Sequence, residues 1–454
     1  MENQNLFERL NRWAKQSVTL KLFAIGFLIL LLMIPGSMLN SLIYEREQTR
    51  NSAIREVSSS WGTSQTIAGP VISFPYYKQI RNEKGTLEWT TEFAHFLPDN
   101  LEITGRLVPI KKYRGIYVVV LYSAELEIKG SFKKIVPSAA GISGSNYDLN
   151  KAVISLGISD NKGIRETVYL NHPNKTGVFK PGLLSYDIFN SGISTPYDTS
   201  AEKTEFNIRL SLNGSSEIFF LPFGENNKVT LTGSWTNPSF QGDFLPAEKS
   251  INDTSFTATW NVLELNRKYP QAGTGRFVSG SAVTEDWKQF EPQQPESAFG
   301  VRLLLPVDEY QKTMRTSKYG MMFVIITFLA FFFIEVLNNR RVHPIQYFLI
   351  GCAVILFYVL LLSISEHLSF NTAYLISCSA ILLLISLYAK AILKNTKHAL
   401  IIGGILAVLY VFFYSLLQLQ DYALLLGSIG LLSVLALIMY LTRNINWYQL
   451  GEKS

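Results

Sequence analysis

Five polar side chains stand in or beside long apolar runs: Glu335, Lys390, Glu366, His367 and Asp421. Charge in hydrocarbon is costly, so such residues are either paired or used. Glu335 sits about three residues from the end of its run, a distance taken as about 4.5 Å of helix. It is neutralised either by Arg340 or Arg341 just beyond, or by Lys390 at the same depth. Glu366, His367 and Asp421 share one depth at the opposite end, and the short loops there, 365–370 and 418–421, hold no Lys or Arg. Two readings of that trio stand. They are solvated loop residues, or they form a polar mouth that docks another segment or takes a cation or ligand. In the second reading, basic partners could come from Lys312, Arg315 and Lys318.

No motif supplies more chemistry than this. The chain has no G-x-S-x-G, H-E-x-x-H or Walker loop, and Gly141-Ile142-Ser143-Gly144-Ser145 fails the nucleophile-elbow spacing. His95 and His172 lie in unrelated contexts, and Asp243, Asp253 and Asp308 are unpaired in sequence. Cys352 and Cys378 fall inside apolar runs, where thiols serve as small apolar fillers. No catalytic residue, metal ligand or cofactor site is assigned, and the expectation is a protein without enzymatic activity.

The elements that must position these residues follow from composition. With 48% hydrophobic and 17% charged residues, the chain is poorer in charge than a soluble protein, which carries roughly 25%. A bilayer core of roughly 30 Å takes about 20 apolar residues in a helix. Six segments satisfy this: 20–43, 319–338, 344–364, 371–393, 398–417 and 422–442. Counted over the short segments at span ends, one side carries Arg9, Arg12, Lys15, Lys21, Arg340, Arg341, Lys390, Lys394, Lys397, Arg443 and Lys453, and the other side's two short loops, 365–370 and 418–421, carry none. By the positive-inside rule the first side is the cytoplasm. Both termini are then cytoplasmic, and 44–318 lies outside. The net charge of +6 is spread along span flanks rather than gathered on one polar face, which excludes a nucleic-acid partner.

Segment 20–43 is an uncleaved signal anchor, because no small-x-small site follows the apolar run and Pro35-Gly36-Ser37 leads into more apolar residues. Ahead of it, 1–19 places Leu6, Phe7, Leu10, Trp13, Ala14 and Val18 opposite Arg9, Arg12 and Lys15, the pattern of a helix lying in the headgroup layer. Residues 443–454 form a cytoplasmic tail.

The pattern over 43–60 is a helix leaving the membrane. After Trp61-Gly62 the period changes. Val71-Ile72-Ser73-Phe74, 116–122, 152–156 and Val229-Thr230-Leu231-Thr232 are β-branched and aromatic, separated by turn clusters such as Asp160-Asn161-Lys162-Gly163 and Gly224-Glu225-Asn226-Asn227. This predicts a large, mainly antiparallel β domain. A sandwich is favoured over a barrel, with one or two subdomains left open. The domain has no cysteine and is large enough to need none. The fold class is therefore a polytopic α-helical membrane protein of six spans, with a periplasmic β domain between spans 1 and 2.

Several local patterns, in order along nearly the whole chain, resemble the CreD family of inner-membrane cell envelope integrity proteins. They are Arg12-Trp13, Leu20-Lys21, Trp61-Gly62-x-x-Gln65, Gly69-Pro70 and Phe74-Pro75-Tyr76, then Leu265-Asn266-Arg267, Phe299-Gly300-Val301, Pro306-Val307-Asp308-x-Tyr310 and Lys318-Tyr319. In the apolar region come Glu335, His343-Pro344-x-Gln346-Tyr347, Ser363-x-Ser365-Glu366-His367, Asp421-Tyr422-Ala423-Leu424-Leu425, Thr442-Arg443 and Trp447-Tyr448. The chain departs at Gln420, where the family pattern commonly has an acid, and this weakens any reading that needs an acid pair beside Asp421.

The resemblance implies an inner-membrane protein with its β domain in the periplasm, under control of a carbon-source-responsive two-component system. It also implies a link to envelope integrity and to tolerance of colicin and β-lactam stress. No catalytic activity comes with it. The expectation is a stress protein whose outer domain binds an envelope protein or a peptidoglycan component, with the lipid bilayer as its other partner. A transporter or flippase using the polar residues of the bundle is the alternative.

Overall fold

Between Gly36 and Gly62 the sequence has neither glycine nor proline, so nothing stops a helix that begins in the first apolar run. In the computed structural model, helix α1 is continuous over Val18–Trp61 and carries Pro35 inside it. It ends at Gly62, whose N–H still reaches Ser58 O at 2.8 Å and whose φ of +141° suits only glycine. The first span is thus the N-terminal part of a longer element, and the opening of 44–318 is helical.

The structure describes residues 18–81, 86–144, 146–172, 175–200, 203–278, 297–305, 316, 320–337, 342–418 and 423–443. The expected amphipathic segment 1–19 lies almost wholly outside them, as does the tail beyond Arg443. Contacts divide the chain into a helical unit, Met1–Thr49 with Val307–Ser454, and a β unit, Arg50–Pro306.

Within the β unit the strand pattern follows the period of two. Over Asn100–Arg114, Leu101, Ile103 and Leu107 are buried while Glu102, Thr104 and Arg106 face out. Lys203–Ser215 buries Thr204, Phe206, Ile208, Leu210 and Leu212 in the same way. Gln65–Arg81 is different. It is buried on both faces up to Tyr76, because it sits inside its sheet, antiparallel to Leu87–Phe96 and to Val153–Ile158.

Among the described residues the strands form a nine-stranded and an eight-stranded sheet on one shared core, which is the sandwich arrangement. Pairing is mainly antiparallel. The exceptions are 65–67 beside 218–220 and 226–233 beside 100–107, both parallel. Trp260, fully buried, packs on Phe240 and Phe299 with ring centroids 5.7 Å away in each case. Fully burying a Phe side chain such as Phe299 contributes about 1.5–3 kcal/mol, so these rings dominate the core.

Several family-pattern residues prove structural here. Trp61 Nε1 donates to Tyr122 O at 3.2 Å, and Gln65, fully buried, donates to Asp160 O and Asn213 O, each at 3.0 Å. Gly300 lies so close to the neighbouring strand that a Cβ would meet Ile218 O at 2.1 Å.

The helical unit contains α2 (Gly320–Leu337), α3 (Pro344–Ser365), α4 (Phe370–Leu393), α5 (Thr396–Gln418) and α6 (Ala423–Thr442). Their bounds fall within two residues of the expected spans. Among the described residues four helices, α1, α3, α4 and α5, are long and apolar enough to cross a membrane, and α2 and α6 contain shorter apolar stretches, Gly320–Val336 and Leu425–Tyr440. The centre of this unit is filled by rings: Phe323 lies 4.2 Å from Phe413 and 4.9 Å from Tyr410, and Phe357 lies 4.9 Å from Tyr410. Tyr374 bonds through its hydroxyl to Tyr410 O at 2.8 Å. Leu32 of α1 joins this core, and Gly351 of α3 allows the approach, since a Cβ there would meet Leu32 Cδ1 at 2.2 Å.

Candidate functional site

Pro344 has no N–H to give and a fixed φ, so it serves as the first residue of a helix. Helix α3 starts there, with His343 as its cap: Ile345 N donates to His343 Nδ1 at 3.3 Å and His343 N donates to Gln346 Oε1 at 2.9 Å. One turn into α3 stands Tyr347, 2% exposed, its ring edge-on to Phe328 of α2 at 5.5 Å. This corner faces the last turn of α2, where Glu335 is 3% exposed.

Three donors close on the Glu335 carboxylate. Lys21 Nζ of α1 reaches Oε1 at 2.5 Å, Val342 N reaches Oε1 at 2.9 Å, and the Tyr347 hydroxyl reaches Oε2 at 2.9 Å. A buried carboxylate is tolerable when it is paired and hydrogen-bonded in this way. Beside it lies a cavity of about 430 Å³ with Lys21, Glu335, His343 and Tyr347 at its polar end and Ala24, Ile25 and Leu28 among its walls.

The partner of Glu335 is therefore Lys21, and the expected pairing with Lys390 is not made. Lys390 is exposed on α4, and no residue of that helix lines the cavity. Arg340 and Arg341, the other expected partners, lie outside the described residues. Sequence distance hid the true pair, since 314 positions separate Lys21 from Glu335.

At the other end of α3, Glu366 is the C-cap residue and its side chain is 10% exposed. Arg46 of α1 stands over it, Nε to Oε1 3.6 Å, so the loop acid is not left to solvent alone. His367, next in sequence, is exposed. Asp421 lies outside the described residues, as do Lys312, Arg315 and Lys318. The structure thus places Glu366 and His367 together and does not bring them to Glu335. Sequence reading missed Lys21, Arg46 and Tyr347 as partners. The signal was present, because Leu20-Lys21, Glu335 and His343-Pro344-x-Gln346-Tyr347 are all pieces of the family pattern.

The β unit holds a second polar chain. Ser73 and His95 face each other across adjacent strands, Oγ to Nδ1 2.8 Å, and His95 Nε2 lies 3.3 Å from Asp187 Oδ2. Ser185 Oγ donates to the same oxygen at 2.6 Å. The hydrogen bond from His95 holds the Asp187 carboxyl below its ordinary value. The order of groups is that of a hydrolase triad, but Ser73 is 5% and His95 2% exposed, inside the sheet. A nucleophile needs access for its substrate, which Ser73 lacks, and these side chains satisfy one another's polar groups from inside the sheet out to Asp187, whose side chain is 28% exposed. His172 lies on a separate hairpin, paired with Lys175.

The conjunction of these helices, this β unit and the family-pattern residues extends to the whole chain in comparison. The sequence profile described as "Inner membrane protein CreD" matches residues 17–448. The chain belongs to the CreD family. It is similar to the inner membrane protein CreD of Escherichia coli (strain K12), 31% identical over 427 residues, covering 92% of this chain and 91% of the relative. Within the CreD family the shared description is of a protein of the inner membrane, and the apolar helices of this chain agree with it. Lys21, Glu335 and Tyr347 all fall inside the matched range.

Proposed function

We propose that this CreD-family chain is a non-catalytic envelope-integrity protein of the inner membrane, in which the helical unit anchors and the β unit binds. The carrying observation is how the bundle treats its charge. Glu335 is closed off by Lys21, Val342 and Tyr347, Glu366 has Arg46 beside it, and rings from α2, α3, α4 and α5 fill the centre. A transport path needs polar groups that exchange water or substrate along its length. A ring-filled bundle in which Glu335 and Glu366 each have a basic neighbour is suited to holding the protein in place.

The topology that goes with this reading has six spans, both termini cytoplasmic and 44–318 periplasmic, supported by the asymmetry of Lys and Arg among the short segments at span ends. The β unit would then meet either an envelope protein or a peptidoglycan component. Reporter fusions at Lys397 and after Ser454 should report cytoplasm, and fusions at Ser250 and Ser369 periplasm. A periplasmic signal at Lys397 would overturn the six-span arrangement.

The function itself is tested by photo-crosslinking the full chain in cells from exposed β positions such as Tyr186 and Leu265, alongside complementation of a strain lacking the family gene. The reading expects discrete adducts from the β unit, and protection against envelope stress that survives Glu366→Gln at unchanged abundance. If no adduct forms and Glu366→Gln abolishes protection at normal protein level, the transporter reading replaces it.

A further inference from the structure

The cavity beside Glu335 has the form of an amphiphile. On α1, Lys21 marks its polar end, and Ala24, Ile25 and Leu28 continue the wall. Seven residues of helix separate Lys21 from Leu28, about 10 Å at 1.5 Å per residue, enough for the first part of an acyl chain. The polar end is not simply basic. Lys21 brings one positive charge and Glu335 one negative, so the pair as a whole is neutral, and a purely anionic headgroup would meet the carboxylate as well as the ammonium.

Donors and acceptors remain in complementary places. An ammonium has three N–H groups, and Lys21, 30% exposed, spends one on Glu335. His343 accepts from Ile345 N at Nδ1, which places its proton on Nε2, a donor at the cavity rim. A carboxylate offers roughly four lone-pair sites. Glu335 uses two on Oε1 and one on Oε2, leaving one acceptor on Oε2.

We propose that this cavity binds a single phospholipid with a primary-amine zwitterionic headgroup. The phosphate is taken by Lys21 and the Nε2–H of His343, the ammonium by the free lone pair of Glu335, and one acyl chain lies along Ala24 and Leu28. The inference is independent of whether the β unit binds a partner. In the topology proposed above, the lipid belongs to the inner leaflet. A pocket between helices that presents a lysine is a recognised way to hold a headgroup phosphate, and the built-in carboxylate adds selection for a headgroup that can donate N–H.

The full chain, reconstituted in nanodiscs of equal parts phosphatidylethanolamine, phosphatidylglycerol and phosphatidylcholine, is released into mild detergent and its retained lipids are counted by native mass spectrometry. Phosphatidylethanolamine should be retained about tenfold over phosphatidylcholine, whose trimethylated amine has no N–H to give, as expected for one charge-assisted hydrogen bond. It should also exceed phosphatidylglycerol. Ala24→Phe fills the cavity without touching the ion pair, and should reduce retention to the level of non-selective annular lipid while helix content stays unchanged. If that variant fails to fold, His343→Ala, at the exposed rim, is measured in its place and should lower retention in the same direction. Equal retention of the three lipids, or of phosphatidylethanolamine and phosphatidylglycerol, overturns the proposal. So does a folded Ala24→Phe, or a His343→Ala, that retains as much as the unaltered chain.

Discussion

Helix α1 reaches the bundle through two ion pairs, Lys21 with Glu335 and Arg46 with Glu366, and the two are built differently. Their basic residues are 25 positions apart, about 37 Å of helix, a separation that exceeds the hydrocarbon core of roughly 30 Å. The first pair is short at 2.5 Å, its acid 3% exposed and held by two further donors. The second is 3.6 Å long, with its acid 10% and its arginine 46% exposed. The difference teaches that pairing across a span is worth what desolvation makes it. An acid whose donors are also closed in depends wholly on them, whereas one paired with an arginine 46% exposed shares that partner with water.

The largest effect that would sharpen this contrast is Glu335→Ala. It leaves Lys21, Val342 N–H and the Tyr347 hydroxyl without their acceptor, and should destabilise the helical unit by about 3–5 kcal/mol. Detergent-denaturation curves read by circular dichroism measure it. A loss below about 1 kcal/mol, the range of exposed pairs, would erase the distinction between the two ends.

Midway between the pairs, Leu32 and Gly351 provide an uncharged contact that serves as a reference. Gly351→Val puts a Cβ within reach of Leu32 Cδ1 and of Phe328 Cζ, 2.2 and 3.0 Å away in the unaltered backbone. Leu32 is fully buried, so the shift passes into packed neighbours, and the expected cost is about 1–3 kcal/mol. Unlike that of a surface ion pair, this cost should not change with salt. A salt-dependent cost would mean that α1 is held by its charges rather than by packing.

The β unit offers a carboxylate outside the helices, and its sign in acid can be worked out. Asp187 is held below the ordinary value by the hydrogen bond from His95. The resulting stability is fully present above the unfolded value, about pH 4, and is lost as pH falls through the lower folded value. Unfolding of the full chain, followed by tryptophan fluorescence of the β unit, should show this acid-side loss, and Asp187→Asn should remove it. An unchanged acid limb in the variant would show that the His95 bond adds nothing to stability.

The smallest effect belongs to Glu366→Gln. At a partly wet site with a partner 3.6 Å away, the loss should be under about 1 kcal/mol, and it should shrink further between 0.1 and 1 M salt, where the screening length falls from about 10 to 3 Å. A loss comparable with that of Glu335→Ala would mean that the Glu366 end is as closed as the Glu335 end.

Much of the fold was legible in residue order. The six apolar segments, the strand positions at 71–74, 153–156 and 229–232, and the helix ends near Pro344 and Gly62 all follow from hydropathy, β-branching and backbone restriction. These are local properties, and each can be read within a window of about 20 residues. The polar residues of the site were legible in the same way, since Glu335 and Glu366 stand out wherever charge meets an apolar run.

What residue order could not decide was partnership. Lys21 reads as one more basic flank and Tyr347 as one more aromatic in a helix start, until the chain folds and places them on the same carboxylate. The register that brings Ser73 opposite His95, and the loop that carries Asp187 to the ring, are equally non-local. Tertiary structure also decided that Glu335 is closed in and that Lys390 is not its counter-charge. The physical reason is common to all of these. Local propensity depends on neighbours along the chain, while the desolvation that makes a buried charge choose its partner depends on which distant segments exclude the water around it.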